Sequence, residues 1–249
     1  MFETAILITC AVFAVAGFVQ GLTGFGFGIV AMAILPMAIN DFKTAFAITA
    51  LNSLIIPFIT LVSVRKGIHI KDSIPLATAA VVGALLGFLF AHFSVGSLMF
   101  IRFFGATLVL FSIVDMVMAK AFNRRMPAWT GWPAGLLGGF FGGAFNTGGP
   151  PMVAFCYSQP WSKIQIVATL QIAFITATTF RVIIMAGYGY FDQRIMLLTG
   201  AAVVPITIGI YFGGKLLERI PLGWLRTGVF VIIIFLGLQY FLFPGIALK

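Results

Sequence analysis

Gly17-Phe-Val-Gln20-Gly21-Leu-Thr23-Gly24-Phe-Gly26-Phe-Gly28 and Gly135-Leu-Leu-Gly138-Gly139-Phe-Phe-Gly142-Gly143-Ala-Phe-Asn146-Thr147-Gly148-Gly149-Pro150-Pro151 lie about half a chain apart, and each opens a run of apolar segments. Gly17, Gly21 and Gly24 match Gly135, Gly139 and Gly142 at a constant offset of 118 residues. A Gly/Pro-interrupted hydrophobic segment, duplicated at equivalent places in two halves, is the best sequence pointer to a transporter's binding site.

The chain around these stretches has 249 residues, 61% hydrophobic and 8% charged, with a mean hydropathy of +1.13. A soluble domain carries about a quarter charged residues. So much apolar side chain cannot fit one core, so its surface must face lipid, and the chain reads as an all-α integral membrane protein. The net charge of +9 sits in short basic clusters between apolar runs, the pattern of cytoplasmic loops. With no basic groove or aromatic platform, nucleic acid is not expected as a partner. Cys10 and Cys156 fall inside apolar segments and read as buried hydrophobes, with neither a disulfide nor a metal site expected. The first apolar run lacks a basic n-region and leads straight into the glycine repeat, so it is expected to be retained.

Apolar stretches set against turns and charges predict five helical segments per half. The first repeat, 1–122, holds 4–21, 24–40, 44–64, 73–92 and 97–119; the second, 123–249, holds 129–145, 148–158, 162–186, 193–214 and 222–243. Segments of about twenty residues cross the ~30 Å hydrocarbon core, whereas 148–158 is too short to cross alone. Each short pair is open to a re-entrant reading, which gives eight to ten helices in one integrated membrane domain. An outside N-terminus places ten basic residues on the inner side (Arg65, Lys66, Lys71, Lys120, Arg124, Arg125, Lys163, Lys215, Arg219 and Arg226) against four outside (Lys43, Arg102, Arg194 and Lys249). Both termini are therefore expected to be periplasmic. An odd number of segments per half makes the second half an inverted-topology repeat of the first. Weaker matches run in the same order: Lys43 and Thr49 with Lys163 and Thr169, Gly87 with Gly209, Arg102 with Arg226.

Broken backbone inside a bilayer is tolerated only where protein or a water-lined cavity satisfies it. A half-helix N-terminus, with its free N–H groups and partial positive charge, suits an oxyanion. Asn146-Thr147-Gly148-Gly149-Pro150-Pro151 fits such a start: Asn or Thr to cap, prolines in the first turn. Gly17, Gly21, Gly135 and Gly139 read first as helix-packing glycines. Thr23, Gly24, Asn146, Thr147, Gly148 and Gly149 read as cavity lining, because polar side chains share the break. Gln20, Asn52 and Gln171 join them as polar groups within apolar segments, Asn52 and Gln171 being one position apart when the repeats are superposed. Arg181, a basic residue within a segment, is a candidate anion contact, but snorkelling to the outer interface is the stronger expectation. Asp115 and His92 are the nearby titratable groups if transport is proton-coupled.

The two glycine-rich stretches, the second ending in Gly-Gly-Pro-Pro, resemble the sulfite exporter TauE/SafE family of membrane permeases. The likeness extends to chain length, the paired halves and the basic central connector. It implies a bacterial inner-membrane carrier for sulfur-containing anions such as sulfite, sulfoacetate or related organosulfonates. Phe25 and Phe27 interrupt the run of glycines usual in the family's first half. The half-sites are therefore expected to differ, with Asn146 and Thr147 supplying more of the polar contact.

A secondary carrier working by alternating access is the leading expectation, with a passive anion channel of the same topology as the alternative. The chain has no P-loop, no His-Glu-x-x-His helix and no Ser-centred nucleophile elbow, so it is not expected to be an enzyme or to need a cofactor. Its small-residue faces are compatible with a homodimer.

Overall fold

The computed structural model describes residues 2–121, 125–217 and 222–245. Arg124, Arg219 and Lys249, and the side chains of Asp115, Lys120 and Arg226, invoked above for topology or proton coupling, lie outside what it describes. Among the described residues ten α-helices run in order: α1 (Phe2–Thr23), α2 (Phe27–Ile39), α3 (Phe42–Val64), α4 (Ile70–Ser94), α5 (Leu98–Ala121), α6 (Gly131–Phe145), α7 (Gly149–Ser158), α8 (Lys163–Gly187), α9 (Gln193–Leu217) and α10 (Leu222–Leu242). No strand occurs among the described residues. Five helices, α1, α3, α4, α8 and α9, contain stretches long and apolar enough to cross a bilayer. The chain is a multi-pass, all-α membrane protein.

Helix starts follow local chemistry. Asp41, Ser97, Ser162 and Asp192 each accept a hydrogen bond from the backbone N–H three residues on, at 2.9, 3.1, 3.3 and 2.7 Å, and so cap α3, α5, α8 and α9.

The helices gather into two compact units, each drawing on both halves of the sequence. One comprises residues 1–52, 94–116 and 191–249; the other comprises 53–93 and 117–190. The first is built on α1 crossing α9. A Cβ at Gly17 would lie 2.6 Å from the Ile206 carbonyl oxygen, and Cβ atoms at Gly21, Gly209 and Gly213 would run into the Ile210, Ala14 and Phe18 carbonyls. Lipid gives no hydrophobic drive for such pairing, so backbone-to-backbone van der Waals contact has to hold it. α5 and α10 meet in the same way at Gly105 and Gly237. Tyr240 of α10 packs on Phe104, and its hydroxyl donates to the Ala33 carbonyl of α2 at 3.2 Å.

The second unit is built on α6 crossing α4. Cβ atoms at Gly135, Gly139 and Gly143 would strike the carbonyls of Leu76, Ala80 and Ala84, and one at Gly83 would strike that of Leu136. The packing role expected of Gly17, Gly21, Gly135 and Gly139 is thus what these residues perform. The Gly87–Gly209 match is corrected. Gly213 meets Phe18 O and Leu22 N, while Gly83 meets Leu136 O and Phe140 N. These partners are the same positions at the 118-residue offset, so Gly83 is the counterpart of Gly213. The earlier pairing is out by about two helical turns.

Candidate functional site: two interrupted helices

In the first unit, α1 stops because Gly24 adopts φ 79° and returns its N–H to the Gln20 carbonyl at 2.8 Å, an αL C-cap. Gly26, at φ 100°, then starts α2. Gln20 bridges the break: its Nε2 donates to Gly24 O at 3.0 Å and its Oε1 accepts from Phe27 N at 3.1 Å. Gly26 has no side chain to cap α2, and Gln20 performs that service from the preceding helix. Thr23 Oγ1 bonds the carbonyls of Val19 (2.9 Å) and Phe25. The Phe13 and Phe27 rings lie 5.1 Å apart, centroid to centroid. A continuous helix would separate these residues by about 21 Å, so α2 doubles back along α1.

In the second unit, α6 ends in a Schellman motif. Asn146, at φ 59°, donates its N–H to Gly142 O at 3.0 Å, and Thr147 donates its N–H to Phe141 O at 3.2 Å. Asn146 therefore caps the end of α6, not the start of α7. Asn tolerates the left-handed conformation, and the N-cap of α7 falls to Gly148. Gly148 packs so closely on α6 that a Cβ there would strike the Gly138 carbonyl. With Pro150 and Pro151 following, only Gly149 among the first three residues of α7 can donate an N–H.

α7 also returns along its predecessor. A Cβ at Gly131 would be 3.0 Å from the Phe155 ring, and Gln159 Nε2 donates to the Met126 carbonyl at 3.1 Å. The chain thus leaves this hairpin beside where it entered. At about 22 and 15 Å, neither arm reaches across a ~30 Å hydrocarbon core, which favours the re-entrant reading of 148–158.

Arg181 overturns the snorkelling expectation. It is 2% exposed and donates through Nη1 to the Gly142 carbonyl, the acceptor already used by Asn146. The reason is electrostatic: the C-terminal end of a helix carries partial negative charge, and a cation there is stabilised. Arg181, Asn146 and Thr147 are thereby brought together with Gly148 and Gly149. Gln171 lies on the same helix as Arg181, about 15 Å along its axis. It is 0% exposed, and neither amide atom has a hydrogen-bond partner. In the first unit Gln20, Thr23 and Gly24 form one cluster. Asn52 stands on α3, 0% exposed, with Oδ1 unpartnered.

The sequence reading missed the Phe141 and Gly142 carbonyls, which no side-chain pattern announces. It also missed Tyr190, whose hydroxyl is 3.0 Å from His92 Nδ1. Burial pushes that phenol above its ordinary value, so it stays protonated and can donate to the imidazole. The signal available was Gly187-Tyr-Gly-Tyr190 at the end of α8.

Against this geometry, the sequence profile described as "Sulfite exporter TauE/SafE" matches residues 9–240. The chain belongs to the sulfite exporter TauE/SafE family. A curated relative from Cupriavidus necator, named "Probable sulfite/organosulfonate exporter TauE", is 22% identical over 231 residues, covering 92% of this chain and 90% of its own. No solved structure matches the chain. The family match begins before the first helix break and ends beyond the second, so both fall within the shared region.

Proposed function

We propose that this protein is a secondary carrier for small sulfur-containing anions, sulfite or organosulfonates, exporting them across a bacterial inner membrane. The observation that carries the reading is the pair of helix interruptions, one per unit, at the duplicated glycine stretches. Broken backbone at membrane depth belongs to cavities and binding sites. The second break adds a buried guanidinium, and the family's printed activity supplies the substrate class. In this reading Asn146, Thr147, Gly148, Gly149 and Arg181 hold the anion from one unit. Gln20, Thr23 and Gly24 shape the other break, Asn52 and Gln171 supply further buried polar groups, and transport proceeds by alternating access. Mostly neutral donors give moderate affinity, which permits release.

The test is counterflow in proteoliposomes. Labelled sulfonate should accumulate transiently and saturably against unlabelled sulfonate inside, and Asn146→Gly, which keeps the left-handed backbone, and Thr147→Ala should abolish this while the purified variants keep their detergent melting temperature. Single-channel currents without counterflow would make the protein a pore, and absence of any sulfonate flux would defeat the proposal.

A further inference from the structure

Several hydroxyls inside these helices are satisfied in one way. Thr60, Thr107, Thr176 and Thr207, like Ser112, donate to the carbonyl four residues back, the usual solution where water is excluded. Thr49 departs from this: its Oγ1 is buried and has no hydrogen-bond partner. Thr9 and Thr199 share that state, but Thr49 has company. Asn52 is three residues on and so on the same face of α3, and both side chains are 0% exposed.

The sense of the Asn52 amide is fixed by its own helix. Nδ2 donates to Ile48 O at 3.0 Å; turning the amide would set one carbonyl against another. Oδ1, which can only accept, is therefore the atom left over, buried and unpartnered. The helix offers it no cation, since no Lys, Arg or His occurs between Lys43 and Arg65. An acceptor and a hydroxyl one turn apart in a dry setting call for a hydrogen-bond donor.

We propose that the Thr49–Asn52 face of α3 selects sulfur oxyanions that themselves carry a donor: a hydroxyl, an ammonium group or the proton of hydrogen sulfite. This rests on the carrier reading above and narrows its substrate class. An acceptor-only ion such as sulfate leaves Asn52 Oδ1 unsatisfied. Sites built to hydrogen-bond a substrate group reject the isostere lacking it far more strongly than apolar pockets reject a methyl.

The test pairs two isosteres, isethionate (terminal hydroxyl) and propane-1-sulfonate (terminal methyl), as competitors in counterflow with the full chain. Wild type should prefer isethionate by about tenfold or more. Asn52→Leu and Thr49→Val should both bring that preference towards unity, and propane-1-sulfonate should still compete in Thr49→Val, which shows that the anion site remains folded. Taurine, and sulfite followed across pH, then identify whether ammonium or an acidic proton serves as well as hydroxyl. Equal competition by the isosteres in wild type overturns the proposal, as does a preference that both variants leave unchanged. Stabilisation by sodium that both variants abolish, without isostere preference, would assign the face to a cation and overturn it too. If no sulfonate competes at all, the carrier reading itself fails.

Discussion

Gln20 and Arg181 are single side chains that hold a helix end in place where water cannot. Gln20 spends both ends of its amide on the first break, so Gln20→Leu leaves Gly24 O and Phe27 N–H without those partners. An orphaned buried group costs about 1–3 kcal/mol, and thermal unfolding in detergent should show a loss of that order. Arg181 is tested by a pair. Arg181→Met removes the charged donor to Gly142 O and should cost about 1.5–3 kcal/mol, with counterflow lost. Arg181→Lys keeps a cationic donor at the α6 C-terminus and should recover much of the stability, though not the planar fork that suits an oxyanion. Equal melting temperatures for wild type and Arg181→Met would mean that the α6 terminus holds without it.

At the level of elements, glycines in one helix have opposite jobs. In α9, a Cβ at Gly200 meets nothing within 4 Å, whereas one at Gly213 collides with the Phe18 carbonyl. Gly200→Ala should therefore stabilise by up to about 1 kcal/mol through helix propensity. Gly213→Ala should destabilise by about 1–3 kcal/mol as α1 and α9 are forced apart. Melting curves of the two variants should bracket wild type, and a shift in the same direction for both would refute the crossing described here. The glycine spacing made this packing legible before any coordinates, and all ten segments stand within a few residues of their expected bounds because polar caps and breakers mark them. The folding back of α2 and α7 was not legible, since a short apolar segment reads alike whether it continues or returns. Nor was the place of each break: α1 is capped at Gly24, but α6 runs one turn further, past Gly142, and is capped at Asn146. The offset that aligns the packing glycines does not align the breaks. Arg181 was misjudged because its position near a segment end suggested a route to the interface, while the carbonyl it meets comes from a helix 39 residues earlier in the chain.

For the whole molecule, the interleaving of the units follows from the pairings themselves. α1 opens the first half yet packs on α9 of the second, and α6 opens the second half yet packs on α4 of the first. The glycine contacts of the two pairs fall in the same register, as the inverted duplication expected from the sequence would have it, and the basic-residue count predicts an orientation for it. The hairpin geometry gives that orientation a sharp consequence. Met126 and Gln159 are hydrogen-bonded at 3.1 Å, so both ends of the α6–α7 hairpin open on one face of the membrane. The inverted topology expected from the sequence predicts that the α1–α2 hairpin opens on the other. With Cys10 and Cys156 replaced by alanine, Met126→Cys and Gln159→Cys should react with an impermeant maleimide only after the cytoplasmic face is exposed. Asn40→Cys should react in intact spheroplasts. Labelling of Met126→Cys and Gln159→Cys from opposite faces would break the hairpin, and labelling of all three from one face would break the inversion while leaving each unit's internal packing as described.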